Sequence, residues 1–241
     1  MSHAFDVGAC SEQGRRDYQQ DAVGRQPITS GLIAAVADGV GSYEGSDLAA
    51  QVAVRTMLQH HFWAPGVVAD DSLRPGVEGA VADAHLQARQ ALDALGKPGA
   101  TTLALLLVVG ERAVVAHVGD SRVYRLRAGK LEQLTEDHRH PFSRHTITRS
   151  LGSERATADD TAPDVVETDV RPGDVWLLST DGVHDSLTPE QLAAVLADGA
   201  DAQVAAQALV ESALAAGSRD NCTALVVRVP GDAPEALRGA A

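Results

Sequence analysis

Aromatic residues supply only 3% of this 241-residue chain, so its core has to be built from Ala, Val and Leu. Basic charge is scarce as well. Twenty Lys and Arg against 33 Asp and Glu leave a formal charge of −13, which argues against a nucleic-acid or anionic-membrane surface. The two cysteines, Cys10 and Cys222, lie in apolar strand-like contexts and read as buried free thiols, not as a disulfide or a nucleophile. No Cys-x-x-Cys or His-x-x-x-His spacing is present, which argues against a zinc site. No apolar run is long enough to cross a bilayer and no signal peptide opens the chain, so it reads as cytoplasmic. No Pro/Gly/Ser-rich linker interrupts it either, so residues 1–241 read as one domain with a frayed tail over 230–241.

What the chain does have is acids at the ends of apolar strands. Leu177-Leu178-Ser179-Thr180 runs into Asp181-Gly182, and Leu32-Ile33-Ala34-Ala35-Val36-Ala37 runs into Asp38-Gly39. A carboxylate that closes a buried strand is held rigid by packing, and the following glycine permits a sharp turn. Two such pairs far apart in sequence suggest one mouth lined with carboxylates. Oxygen ligands of this kind suit hard cations such as Mg²⁺ and Mn²⁺.

In chain order, Phe5–Cys10 predicts a strand and 11–20 a polar loop. A buried strand over 33–37 leads through the 39–42 turn into a helix from about Ser46. A Pro/Gly/Asp loop is expected from Ala64 to Gly76. Val77, Val81, Ala84, Ala88, Ala91 and Leu95 then step by four and three along a helix. Strands over 101–109, 113–118, 122–126 and 131–134, joined by tight turns, predict an antiparallel meander. Residues 135–169 are polar and read as mostly loop. After the 175–179 strand, Thr188-Pro189-Glu190-Gln191 is a capping box with Pro at the first helical position. It opens a helix to about Ala197; another helix over 202–216 and a strand over 223–229 follow. Antiparallel strands apolar on both faces need cover on both sides. The fold class is therefore α+β, a four-layer αββα sandwich of two antiparallel sheets flanked by helix pairs; a doubly wound fold is the weaker alternative.

Six segments in order resemble the metal-dependent type 2C (PPM) protein serine/threonine phosphatases, of the bacterial single-domain type. They are Gly14-Arg15-Arg16-Asp17-Tyr18-Gln19-Gln20-Asp21-Ala22, Ala37-Asp38-Gly39-Val40-Gly41, Gly99-Ala100-Thr101-Thr102, Val118-Gly119-Asp120-Ser121-Arg122-Val123-Tyr124, Ser179-Thr180-Asp181-Gly182-Val183-His184-Asp185 and Ser218-Arg219-Asp220-Asn221-Cys222-Thr223. The resemblance implies two Mn²⁺ or Mg²⁺ ions: Asp38 as the shared ligand, Asp181 and Asp220 completing one site, and Asp21 with the Gly39 carbonyl serving the other. It implies a water activated between the ions as nucleophile, with Arg16 gripping the phosphate through its two-pronged guanidinium. Asp120 has two readings, a ligand with Asp181 to a third, weaker ion or a cap for its own turn. The implied substrates are phosphoserine and phosphothreonine proteins. The implied role is signalling, as a monomer that opposes a serine/threonine kinase.

The chain departs from the family in three places. Val40 stands where some members carry a histidine proposed as general acid, Gln19 replaces a more usual Asn, and the segment after Asp137 is short where many bacterial relatives have a longer flap. His184 reads as a histidine stabilised by its acidic neighbours. His138, His140 and His145 read as loop residues, and Arg15, Asp159 and Asp160 as solvated. Two other functions are weighed. A non-catalytic sensor of the same fold would lack metal ligands, and none of the four principal acids is missing. A metal phosphodiesterase would bring histidines into the ligand set.

Overall fold

The computed structural model describes residues 5–29, 31–41, 43–64 and 73–231. Ser42, the 65–72 part of the expected loop and the tail beyond Gly231 lie outside the described residues. The chain runs β1 (Asp6–Glu12), β2 (Asp21–Ile28), β3 (Gly31–Asp38), α1 (Ser46–Gln59), α2 (Leu73–Leu95), β4 (Leu103–Val109) and β5 (Arg112–Val118). It continues through β6 (Arg122–Arg127), β7 (Lys130–Gln133), β8 (Arg139–His140), β9 (Ser143–Ile147), α3 (Ala158–Thr161), β10 (Asp164–Asp169) and β11 (Val175–Ser179). Helices α4 (Asp181–His184), α5 (Pro189–Ala197) and α6 (Ala202–Ala215) precede the last strand, β12 (Cys222–Arg228).

Two antiparallel sheets stack face to face, ordered β1-β12-β11-β6-β7 and β10-β5-β4-β3-β2. Their side chains show why the strands read as apolar on both faces. In β3, Leu32, Ala34 and Val36 point into the layer between the sheets, while Ile33, Ala35 and Ala37 pack outward against α1 and α2. In β11, Trp176 and Leu178 point inward, while Val175 and Leu177 face α5 and α6. A period of two with apolar residues on both faces builds three core layers, and hence four structural layers. Antiparallel pairing throughout rules out the doubly wound alternative.

The expected meander is corrected. β4 and β5 pair in one sheet, whereas β6 pairs with β11 and β7 in the other, so the Gly119-Asp120-Ser121 turn crosses between sheets. A hairpin and a crossing use similar turn residues, so the spacing could not separate them. The 135–169 segment is also more ordered than expected, holding the β8–β9 hairpin, α3 and β10. β10 is an edge strand exposed along most of its length, which is why its sequence carries little apolar signal. The expected loop to Gly76 ends earlier, because α2 starts at Leu73. Pro75 fits there, since the first turn's N–H groups have no helical acceptor, and a Cβ on Gly76 would lie 2.2 Å from the Phe62 ring.

Candidate metal centre

The carboxylates meet where the two sheets end. Asp21 opens β2 and Asp38 closes β3, and they are cross-strand partners. Asp181 opens α4 immediately after β11, and Asp220 sits in the turn before β12. Asp38, Gly39, Val40, Asp120, Asp181, Asp220, Arg16 and Ile147 line one cleft. Every sequence-predicted site residue except Asp21 therefore lines it, and Asp21 is buried beside Asp38 as its cross-strand partner.

The backbone that carries these acids is clamped. The Asp38 N–H donates to Thr102 Oγ1 at 2.9 Å, and its carbonyl accepts from the Thr102 N–H at 2.8 Å and Thr101 Oγ1 at 3.0 Å. A Cβ on Gly39 would fall 2.7 Å from the Ser46 carbonyl oxygen, and one on Gly182 would fall 2.0 Å from that of Asn221. Only glycine lets each strand end approach its neighbour so closely. Thr180 Oγ1 donates to Asp21 Oδ2 at 2.8 Å and accepts the Thr223 N–H at 3.1 Å, tying β11, β12 and the start of β2 together. Gln19 serves the same end, its Oε1 accepting the Asp21 N–H at 3.0 Å.

Asn221 is a functional residue to which sequence reasoning assigned no role. Its Oδ1 accepts the Gln20 N–H at 2.8 Å, and its Nδ2 donates to the carbonyls of Gln13 at 2.8 Å and Tyr18 at 2.9 Å. One side chain thus fixes the loop that presents Arg16. Nothing in the spacing marks it; only an acceptor-and-donor amide next to Asp220 hints at a clamp.

Electrostatics in the cleft are unfavourable to the acids as they stand. Burial pushes the Asp21 carboxyl up to about 6, helped by the charge of Asp220 and opposed by hydrogen bonds from Thr223 and Thr180. Asp181 is pushed up to about 7 by burial and then by Asp120, Asp220, Asp185 and Asp21. Asp38 is raised well above the carboxylate range by burial and by the charges of Asp21, Asp181, Asp120 and Asp220. Arginines meet two of the acids. Arg16 Nη2 lies 2.7 Å from Asp220 Oδ2, both side chains part-exposed, and Arg139 Nε lies 2.8 Å from Asp120 Oδ2. Asp21 Oδ1 and Asp181 Oδ1 are buried without a hydrogen-bond partner. Orphaned carboxylate oxygens in an all-oxygen donor set, destabilised by one another's charge, fit divalent hard cations.

The histidines stand apart from this chemistry. His184 is buried, its Nδ1 3.0 Å from Ser179 Oγ. Burial, then Arg122 and Arg139, hold its pKa well below the usual range, so the expected stabilisation by acids is replaced by a neutral ring. His138 lies outside the regular elements, as expected, but is buried, stacks on His117 at 4.5 Å and accepts the Gly119 N–H at Nδ1, whereas His140 falls in β8 and residue His145 in β9. His117, His138 and Asp164 offer ligand atoms within 4.8 Å of one another. Because His138 Nδ1 is an acceptor, its Nε2 carries the proton and faces Asp164 at 3.2 Å, with Arg149 Nη1 2.8 Å from the same carboxylate. A cation already sits there. Among the described residues no helix is long and apolar enough to cross a membrane.

An acid cluster built for divalent cations, with an arginine at its mouth, on a four-layer antiparallel scaffold defines a centre for metal-assisted chemistry on an anion. The chain belongs to the protein phosphatase 2C family, whose model matches residues 11–216. The serine/threonine protein phosphatase PstP of Mycobacterium tuberculosis is 31% identical over 219 residues, covering 82% of this chain and 40% of that protein, so the chain spans well under half of this relative's length. The protein phosphatase PhpP of Streptococcus pneumoniae is 27% identical over 250 residues, 94% of this chain and 96% of that protein. The crystal structure of the PstP catalytic domain in complex with two manganese ions matches with a TM-score of 0.78 at 26% identity, covering 94% of this chain and 98% of that one.

Proposed function

We propose that the chain is a phosphoserine/phosphothreonine protein phosphatase dependent on two Mn²⁺ or Mg²⁺ ions, working as one domain. The observation that carries this is the meeting of Asp21, Asp38, Asp181 and Asp220 in one place, with buried carboxylate oxygens of Asp21 and Asp181 unpartnered. Asp38 would be shared between the ions, Asp181 and Asp220 would complete one site, and Asp21 with the Gly39 carbonyl would serve the other. Such ions, when bound, supply Lewis acidity toward phosphoryl oxygens and lower the pKa of a coordinated water.

The chain's own residues do the rest. Arg16, half-exposed at the mouth, is accessible to an incoming phosphate and is held in reserve by Asp220. Its planar fork matches two phosphate oxygens, which an ammonium cannot do. Val40 lines the cleft where a histidine would otherwise offer a proton, and His184 is held as a neutral ring, a poor general acid, so leaving-group protonation falls to a water or another group. The β8–β9 hairpin stands in for a longer flap, with Ile147 on the cleft wall and Phe142 open at its tip. The finer role is that of a monomeric cytoplasmic enzyme that opposes a serine/threonine kinase; the names of the bacterial relatives support its protein phosphatase part alone.

The test is phosphate release from a phosphothreonine peptide and an aryl phosphate. Chelation should abolish release and excess Mn²⁺ should restore it. Full activity of metal-stripped protein in chelator contradicts the proposal.

A further inference from the structure

Arg139, in β8, is set among more acids than any surface ion pair requires. Its Nε lies 2.8 Å from Asp120 Oδ2, its Nη1 and Nη2 lie 3.3 and 3.1 Å from the two oxygens of Asp185, and Asp137 Oδ2 is 3.5 Å away. The side chains of Arg139 and Asp120 are 14% and 7% exposed, so this pair is largely shielded, while Asp185 stays partly open. Arg122 forks onto Asp137 at 2.8 and 2.7 Å, which leaves Asp120 and Asp185 as the carboxylates that Arg139 serves. Asp120 lines the cleft with Asp181, whose Oδ1 is buried and unpartnered. An acid pair with an orphaned oxygen is what a further cation would need.

We propose that Arg139 is a tethered cation that occupies Asp120 in place of a third metal ion, so that this centre takes two ions. A tethered guanidinium acts at an effective concentration of about millimolar or more and loses no translational freedom on binding. Its five donors satisfy several carboxylate oxygens at once. An incoming ion must displace its Nε from Asp120 and leave that N–H without its carboxylate, while Nη1 and Nη2 stay on Asp185. The inference rests on the two-ion reading above.

Calorimetric titration with Mn²⁺ on metal-stripped protein tests it, with bound ion counted by electron paramagnetic resonance and folding followed by circular dichroism. Wild type should take two equivalents, Arg139→Gln three, and Arg139→Gln with Asp120→Asn two again. Asp120→Asn alone should keep two, because an arginine and no ion sits on that carboxylate; this variant decides the matter if Arg139→Gln does not fold. Folded Arg139→Gln with two equivalents at wild-type affinity, wild type with three, or an equivalent lost in Asp120→Asn each overturn the proposal and leave the two-ion centre standing. Wild type that binds none overturns both.

Discussion

Asp21→Asn should make the metal-free protein more stable at neutral pH. The Asp21 carboxyl titrates near 6 in the folded chain and near 3.8 when unfolded. Between those values the folded chain holds the extra proton, so stability falls as pH rises through that window and stays lower above it. At about 1.4 kcal/mol per pH unit, carrying this buried charge costs the folded state about 3 kcal/mol at pH 7.5. Asparagine carries no charge and keeps an oxygen to accept from Thr180 Oγ1. Urea unfolding in chelator should show the variant about 2–3 kcal/mol more stable than wild type at pH 7.5, a rise of roughly 5–10 °C in Tm. Near pH 4 the two should coincide. Saturating Mn²⁺ should reverse the order, because an ion that binds only the folded state stabilises the protein that holds it best. A variant less stable than wild type at pH 7.5 in chelator would refute the reasoning.

Arg16→Ala should lower kcat/KM by about ten- to hundredfold, the loss of one charge-assisted contact, with Mn²⁺ affinity unchanged or raised because Asp220 is released; Arg16→Lys should recover little. Steady-state kinetics paired with metal titration separate those effects. Asn221→Ala removes three hydrogen bonds to the 13–20 loop and should cost about 2–3 kcal/mol in urea unfolding at about 1 kcal/mol each, with a raised KM. Cys10→Ser with Cys222→Ser should keep full activity; activity lost at normal folding and metal content would implicate a thiol.

The gathering of the acids was legible in the sequence because they stand at strand ends, where apolar runs announce the strand and glycine announces the turn. Asp38-Gly39 and Asp181-Gly182 show both signals, and the structure explains the glycines by close backbone approach. The layered fold followed from strands such as β3, apolar on both faces. What escaped has physical reasons. β2 contains Gly24 and Pro27, which weaken any strand pattern and are tolerated because β2 is an edge and the Leu58 and Val54 side chains of α1 pack over Gly24. The crossing between sheets after β5 depends on partners distant in sequence. The pairing of Arg139 with Asp120 and the Asn221 clamp are set by three-dimensional approach, so neither leaves a periodic trace.

The central claim is that Asp38 is shared by two divalent ions, and Mn²⁺ titration of Asp38→Asn beside wild type tests it most directly. Asparagine keeps the size of the side chain and removes the charge that Asp21, Asp181, Asp120 and Asp220 all bear upon. Wild type should bind two ions, and the variant should lose affinity at both sites together. An Asp38→Asn protein that binds two ions with native affinity, or that weakens at one site alone, would contradict the account.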